Sequence, residues 1–152
     1  MFYTELKIES DLNKLTEVEH FIDNLMTDFN IDYDYIGIIS TPLIEAVSNA
    51  IIHGNQFNKS KKVTITCQLS NKNMVFSVSD EGNGFNFSEY LNKEIENRSN
   101  NGLSIIELLT NKMEFLNNGN TITYEVEVPI QLNNEREIIL SKERKDVYKT
   151  TF

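Results

Sequence analysis

Three polar residues recur at four-residue intervals in one stretch of the chain: Glu45, Asn49 and His53. On an α-helix, residues at this spacing drift by only about 40° per step, so they form a single polar stripe. The positions around the stripe are mainly aliphatic, which is typical of a helix that packs most of its surface in a core. Because polar groups on such a helix need partners, a carboxylate, an amide and an imidazole in line indicate a polar ligand.

A second polar cluster, Asp80-Glu-Gly82-Asn-Gly84, follows an apolar strand pattern. Asp80 has the parity of the apolar residues before it, so its carboxylate is expected on the core side at the end of the strand. An unpaired buried charge costs several kcal/mol, so amides of the glycine turn or a ligand donor must satisfy it. Gly82 and Gly84 permit a tight turn with positive φ and the close approach of a flat ligand.

A third candidate region begins after this turn. The polar segment from Phe85 to Gly102, whose only arginine is Arg98, has the right length for a mobile lid. Leu103 then opens an apolar pattern of helical spacing, so a helix is predicted to begin at Asn101-Gly102. Free backbone N–H groups and the positive end of the helix dipole at that point suit phosphate.

The elements before the polar stripe follow from periodicity. Alternation predicts a half-buried strand over Phe2 to Ile8, and apolar residues at three- and four-residue intervals predict a helix from about Lys14 to Asn30. A second helix is predicted from near Asp34 to His53, with the following glycine as a left-handed C-terminal cap. Pro42 either kinks this helix or lies in the first turn of a new one. One kinked helix is favoured, because a single apolar stripe continues across the proline.

The remaining elements are predicted to be strands. Two alternating patterns joined by a short polar turn indicate an antiparallel hairpin, and a second hairpin closes around the turn Asn117-Asn-Gly-Asn120. Beyond Pro129 the sequence turns polar and mixed in charge, so residues 129–152 are predicted to form a tail with room for one extra element. The four predicted strands are Lys62 to Leu69, Met74 to Asp80, Met113 to Leu116 and Thr121 to Val128.

Composition excludes several classes of protein. A chain of 152 residues fits one domain, and a net charge of -9 argues against a nucleic-acid surface. Cys67 is the only cysteine, which excludes a disulfide framework and a cysteine-based zinc site. We expect no apolar run of membrane-spanning length, no leader segment, and a reducing cytoplasm as the compartment.

These motifs resemble those of the GHKL ATPases with the Bergerat fold. The stripe looks like the N box, Asp80-Glu-Gly82-Asn-Gly84 like the first glycine box, and Asn101-Gly102-Leu103 like the second. Within that superfamily, Glu45-Ala-Val-Ser-Asn-Ala-Ile-Ile-His-Gly54 is most similar to the bacterial anti-sigma factor serine/threonine protein kinases. The resemblance covers residues 1–128. It implies an α+β fold, a two-layer α/β sandwich with a mostly antiparallel sheet, about three helices and a mobile lid.

The resemblance also implies a role for each residue. Asn49 coordinates Mg²⁺ through its side-chain oxygen, Asp80 accepts the exocyclic amine of adenine, and Glu45 acts as general base. Arg98 is a candidate for neutralising the γ-phosphate. The residues expected to contact ATP are Asn49, His53, Asp80, Gly82, Gly84, Arg98, Asn101, Gly102 and Leu103.

The activity implied is that of an ATP-dependent kinase that phosphorylates a serine on an anti-anti-sigma protein and otherwise holds a sigma factor. A homodimer is expected, without direct contact to nucleic acid or membrane. One departure from the family pattern, Asn100 in place of the first glycine of the second glycine box, keeps an alternative open. This alternative is a nucleotide-dependent module that sequesters a regulatory partner without phosphoryl transfer. A sensor histidine kinase and a scaffold that has lost nucleotide are less well supported.

Overall fold

A computed structural model describes residues 2–70, 73–84 and 102–131. Five strands and three α-helices alternate along these residues, in an order that places two helices between the first strand and the second. The elements are β1 (Tyr3–Glu9), α1 (Leu15–Asp28), α2 (Ile36–Asn49), β2 (Lys62–Ser70), β3 (Asn73–Ser79), α3 (Gly102–Leu109), β4 (Asn111–Leu116) and β5 (Thr121–Glu127). Short 3₁₀ turns precede α1 and α2 and connect β4 to β5.

The strands form one antiparallel sheet in the order β1-β2-β3-β5-β4. Its register aligns Cys67, Phe76 and Tyr124 across the three central strands, and all three side chains are fully buried. Alternate residues of β3 are buried, so one face of this strand lies in the core while the other is partly open. The predicted α+β fold, a mostly antiparallel sheet backed by helices, is confirmed.

The helices supply the second half of the core. Helix α1 buries a stripe at helical spacing, and α2 packs against α1, α3 and the central strands. The segments predicted as helices are therefore helical, with ends shifted by a few residues as is usual for frayed termini. The fully buried helical residues are Val18, Ile39, Leu43, Val47, Ile51 and Ile106.

The second helix differs in part from the prediction. Helix α2 continues through Pro42, as favoured, but its last turn, Ala50–Gly54, is a π-helical turn. The expected left-handed cap at Gly54 is wrong, since the positive φ angles occur two residues later, at Gln56 and Phe57. A π-turn contains one extra residue per turn and is common near functional sites.

We expected no apolar run of membrane-spanning length. Judged by length and composition alone, this expectation is wrong, because one helical stretch meets both criteria. The helical stretch Tyr33–Gly54 has 22 residues, with a mean hydropathy of 1.4 in its most apolar window. Its apolar residues Ile39, Leu43 and Val47 are fully buried within the protein. Burial against α1, α3 and the sheet therefore accounts for a composition that a core helix shares with a membrane span.

Residues 128–131, which follow β5, lie against the domain. Val128 is buried, and the amide of Gln131 donates to the carbonyl of Phe29 at 3.0 Å. The Asn30 side chain, from a residue with φ of 47°, donates to the Gln131 side chain at 3.1 Å. Residues 132–152 lie outside the described part of the chain, so the domain boundary predicted at residue 128 stays a prediction.

Tyr124→Phe is expected to stabilise the fold by about 1 kcal/mol. The Tyr124 side chain is fully buried, and its hydroxyl has no hydrogen-bond partner among the described residues. Removing a buried, unsatisfied hydroxyl removes its desolvation cost. Urea unfolding would measure the change, with Tyr33→Phe as control because the Tyr33 hydroxyl is exposed and donates to Asp23. Destabilisation by Tyr124→Phe would show that the hydroxyl is satisfied in solution.

Candidate functional site

A cavity of about 380 Å³ opens beside the C-terminal end of α2. Its volume is within the range usual for small-molecule sites. Its walls come from α2 and the π-turn, the start of α3, and the ends of β3, β4 and β5. The lining residues are Ala46, Asn49, Ala50, His53, Gly54, Val78, Asp80, Gly84, Gly102, Leu103, Phe115, Gly119, Asn120 and Ile122.

Asp80 lies at one end of this cavity, directly after β3. Its amide donates to the carbonyl of Asn120 at 2.9 Å, and its Oδ1 accepts the amide of Gly82 at 2.8 Å. Burial raises the pKa of this carboxyl above its usual range, against the opposing effects of the Gly82 bond and the charge of Lys61. Of its two carboxylate oxygens, only Oδ1 accepts a hydrogen bond from a described residue, so Oδ2 is free to accept one from a ligand.

Two glycines make room for this carboxylate. A Cβ at Gly54 would lie 2.3 Å from Cγ of Asp80, and a Cβ at Gly82 would lie 2.2 Å from the carbonyl oxygen of Gly54. Neither residue has a positive φ. Close packing around Asp80, and not a left-handed conformation, therefore requires glycine at both positions. The positive φ expected of Gly82 is wrong, whereas Gly84 has a φ of 88°.

Gly54→Ala is expected to weaken ligand binding at Asp80, because the added methyl group must displace the carboxylate. Overpacking of this kind costs about 1 to 3 kcal/mol in stability. Gly37→Ala is a matched control, since Gly37 lies in α2 with nothing within 4 Å of the added carbon. This control should stabilise the helix by about 0.5 to 1 kcal/mol. The measurements are urea unfolding and the thermal shift caused by MgATP. An undiminished shift in Gly54→Ala would contradict the steric explanation.

Glu45 and Asn49 lie together at the other end of the site, beside the N-terminus of α3. A Cβ at Gly102 would lie 2.2 Å from Oε2 of Glu45 and 3.3 Å from Nδ2 of Asn49. Both side chains are partly exposed, and Asn49 lines the cavity whereas Glu45 lies at its margin. The structure thus brings together three positions that the sequence analysis placed in two separate motifs.

Other predicted site residues occupy less central positions. His53 is exposed but lines the cavity, as do Gly84 and the partly exposed Leu103. A Cβ at Gly84 would lie 2.1 Å from the carbonyl oxygen of Asn118, so this glycine permits contact between two loops. Arg98, Asn100, Asn101 and the predicted lid lie outside the described residues, and their roles stay predictions.

The hairpin of β4 and β5 contributes residues that the sequence analysis missed. Phe115 and Ile122 form apolar parts of the wall, and Gly119 and Asn120 line it from the connecting turn. Three consecutive residues of this turn, Asn117 to Gly119, have positive φ. Their asparagine and glycine content predicted the turn, but nothing in it indicated a position beside Asp80.

One side chain in the lining of the cavity, Asn49, offers a suitable ligand for Mg²⁺. No group of three or more His, Cys, Asp or Glu side chains that could hold a metal ion occurs among residues 2–70, 73–84 and 102–131. A metal held by the described residues alone would therefore lack ligands. The amide oxygen of Asn49 is a hard ligand of the kind that Mg²⁺ accepts, and Mg²⁺ usually takes its other ligands from phosphate and water.

The fold is similar to that of a solved structure, the RsbU and RsbW domains of a Mycobacterium tuberculosis protein. The TM-score is 0.63 at 17% identity, with 88% of this chain and 35% of the other covered. At this identity the likeness concerns the fold alone.

Relatives in two bacterial species carry the name anti-sigma F factor. The protein of Oceanobacillus iheyensis is 30% identical over 101 residues, which cover 62% of this chain and 69% of the relative. That of Clostridium perfringens is 34% identical over 82 residues, covering 50% and 59% respectively. The chain thus spans roughly three fifths to two thirds of the length of these relatives. A family model described as histidine kinase-like ATPase domain matches residues 8–125, well over half of the chain. The chain therefore belongs to the histidine kinase-like ATPase family.

Proposed function

We propose that this protein is a Mg²⁺- and ATP-dependent serine/threonine kinase that also acts as an anti-sigma factor. The observation that carries the proposal is the arrangement of the cavity. Asp80 lies at one end, and Glu45, Asn49 and Gly102 lie at the other. Glu45 precedes Gly54, which packs against Asp80, by nine helical positions, so these two residues lie roughly 13 Å apart along the helix. This spacing suits an elongated ligand with a hydrogen-bond donor at one end and an anionic group at the other.

Each end has chemistry that matches part of ATP. The free oxygen of Asp80 can accept the adenine amine, and the apolar side chains Phe115 and Ile122 can contact the flat base. The N-terminal amides of α3 can donate to phosphate, and the side-chain oxygen of Asn49 can bind the metal ion that accompanies it. When bound at Asn49, Mg²⁺ would neutralise charge on the phosphates.

Glu45 supports phosphoryl transfer in addition to nucleotide binding. Its carboxylate lies at the margin of the cavity beside Gly102, where it is partly exposed to solvent and to an approaching protein. A serine hydroxyl that attacks the γ-phosphorus loses its proton to this carboxylate, while the bond to the β,γ-bridging oxygen breaks and ADP leaves. A module that only binds nucleotide has no need of a base at this position.

The partners proposed are an anti-anti-sigma protein, as the phosphorylated substrate, and a sigma factor, which the kinase otherwise holds. The names of these relatives support this assignment. We further propose a homodimer in the cytoplasm, with no direct contact to nucleic acid or membrane. The net charge of -9 supports the absence of a nucleic-acid surface.

Phosphoryl transfer tests the proposal directly. The protein is incubated with Mg²⁺, γ-labelled ATP and a candidate anti-anti-sigma protein, in parallel with a substrate whose acceptor serine is replaced by alanine. Label should appear on the first substrate only and should require Mg²⁺. Binding of ATP without transfer to any anti-anti-sigma protein would favour the sequestering module. Absence of any ATP-induced thermal shift would refute the nucleotide site itself.

A further inference from the structure

A buried asparagine, Asn55, lies directly after the π-turn and outside the lining of the cavity. Its side chain is only 2% exposed, whereas the residues that follow it in the turn are exposed. A buried amide is costly unless all of its donors and acceptors are satisfied.

The amide of Asn55 joins three other segments of the chain. Its Nδ2 donates to Oγ of Ser10 at 2.8 Å and to the carbonyl of Lys62 at 3.0 Å. Its Oδ1 accepts the backbone amide of Glu81 at 2.8 Å. Ser10 in turn donates to the carbonyl of Lys61 at 2.6 Å. The end of β1, the start of β2 and the loop after β3 are therefore held by one side chain.

The bond to Glu81 matters most for the site, because Glu81 follows Asp80. The Asp80 amide donates to the carbonyl of Asn120 at 2.9 Å, and the next amide along the chain donates to Asn55. The peptide that carries the Asp80 carboxylate is thus fixed on both sides. The Glu81 carboxylate adds a further restraint by accepting the amide of Lys62.

We propose that Asn55 is a positioning residue that sets Asp80 for recognition of the adenine amine. This inference rests on the proposed function, since it assumes that the cavity binds ATP. Asn55 does not touch the ligand. It acts by holding the Glu81 amide, and with it the backbone that carries the Asp80 carboxylate. An amide is needed here because the position requires a donor for Lys62 and an acceptor for Glu81 at once.

A base-specific comparison tests this role. Dissociation constants are measured for ATP and for purine riboside triphosphate, which lacks the exocyclic amine. Asn55→Ala should weaken ATP binding about tenfold, because it impairs the hydrogen bond from the adenine amine to the charged Asp80. The same variant should bind purine riboside triphosphate with a dissociation constant within about threefold of the wild-type value. Combined with Asp80→Asn, it should add no further loss for ATP, since both changes act on one interaction. Asn58→Ala, in the exposed turn, is the control and should change neither constant.

The outcomes separate this inference from the proposed function. If the wild-type protein binds neither nucleotide, the proposed function fails. If the wild-type protein binds ATP but Asn55→Ala weakens both nucleotides equally, or acts additively with Asp80→Asn, Asn55 is only structural and the inference is overturned. Should Asn55→Ala not fold, Ser10→Ala decides, because it removes one anchor of Asn55 and leaves its bond to Glu81. This variant should lower the preference for ATP about threefold, and an unchanged preference would overturn the inference.

Discussion

Replacing Glu45 by glutamine is expected to slow phosphoryl transfer roughly 10²- to 10⁴-fold while leaving MgATP affinity nearly unchanged. Glutamine preserves the shape of the side chain but cannot take up the serine proton. Glu45 lies beside Gly102 at the margin of the cavity and not in its lining. Its removal should therefore affect the rate of the chemical step more than the binding of nucleotide.

Single-turnover transfer and a separate binding measurement distinguish these two effects. Glu19→Gln is the matched control, because Glu19 is exposed on α1, away from the cavity, and should leave the rate unchanged. A rate in Glu45→Gln equal to that of the wild type would remove Glu45 as base. A loss of ATP affinity in proportion to the loss of rate would instead assign it to nucleotide binding.

Most of the fold was predictable because each element carries a local pattern. Strand β3 is an example, since Met74, Phe76 and Val78 alternate with partly exposed neighbours and are all buried. Helix α2 is another, because its apolar stripe continued across Pro42 and the helix does too. In both cases a single buried face decides the structure, and that face is visible in a short window of sequence.

The role of Gly54 was not predictable in the same way. A glycine after a helical pattern ordinarily indicates a left-handed cap, and that local rule was wrong here. The actual requirement comes from Asp80, which lies 26 positions later in the sequence and packs where a Cβ would stand. Such a requirement is set by tertiary contact, so no local window contains it.

The site was predictable only in part, because local sequence patterns reveal some of its residues and not others. Asn49 and Asp80 were found because each is a polar residue on an otherwise apolar element, and both line the cavity. Asn120 and Asn55 were missed because they belong to polar turns, where asparagine is common for local reasons. Only the antiparallel pairing of β3 with β5 brings Asn120 to Asp80, and only burial reveals the bonds of Asn55.

Asp80→Asn is expected to weaken MgATP binding about 10- to 100-fold, and to make the nucleotide-free protein more stable near neutral pH. The first effect follows because the amide replaces a charged acceptor and can present a donor to the adenine amine. The second follows because burial raises the pKa of this carboxyl, so its ionised form is disfavoured in the folded state. A residue that binds ligand at a cost to stability is common in functional sites.

The pH dependence of the free energy of unfolding shows whether the greater stability of Asp80→Asn comes from the lost charge or from a general change in packing. A carboxyl with a raised pKa adds stability below its ordinary value of 3.8, and this contribution is lost as the pH rises through the folded-state pKa. The gain in stability from Asp80→Asn should therefore increase from acid to neutral pH in urea unfolding. Asp11→Asn is the opposite control. The backbone bond from Asn13, followed by Lys59, lowers the pKa of Asp11, so its replacement should destabilise the protein over the same range. Equal ATP-induced thermal shifts in the wild type and Asp80→Asn would remove Asp80 from the nucleotide site, whatever the pH profile.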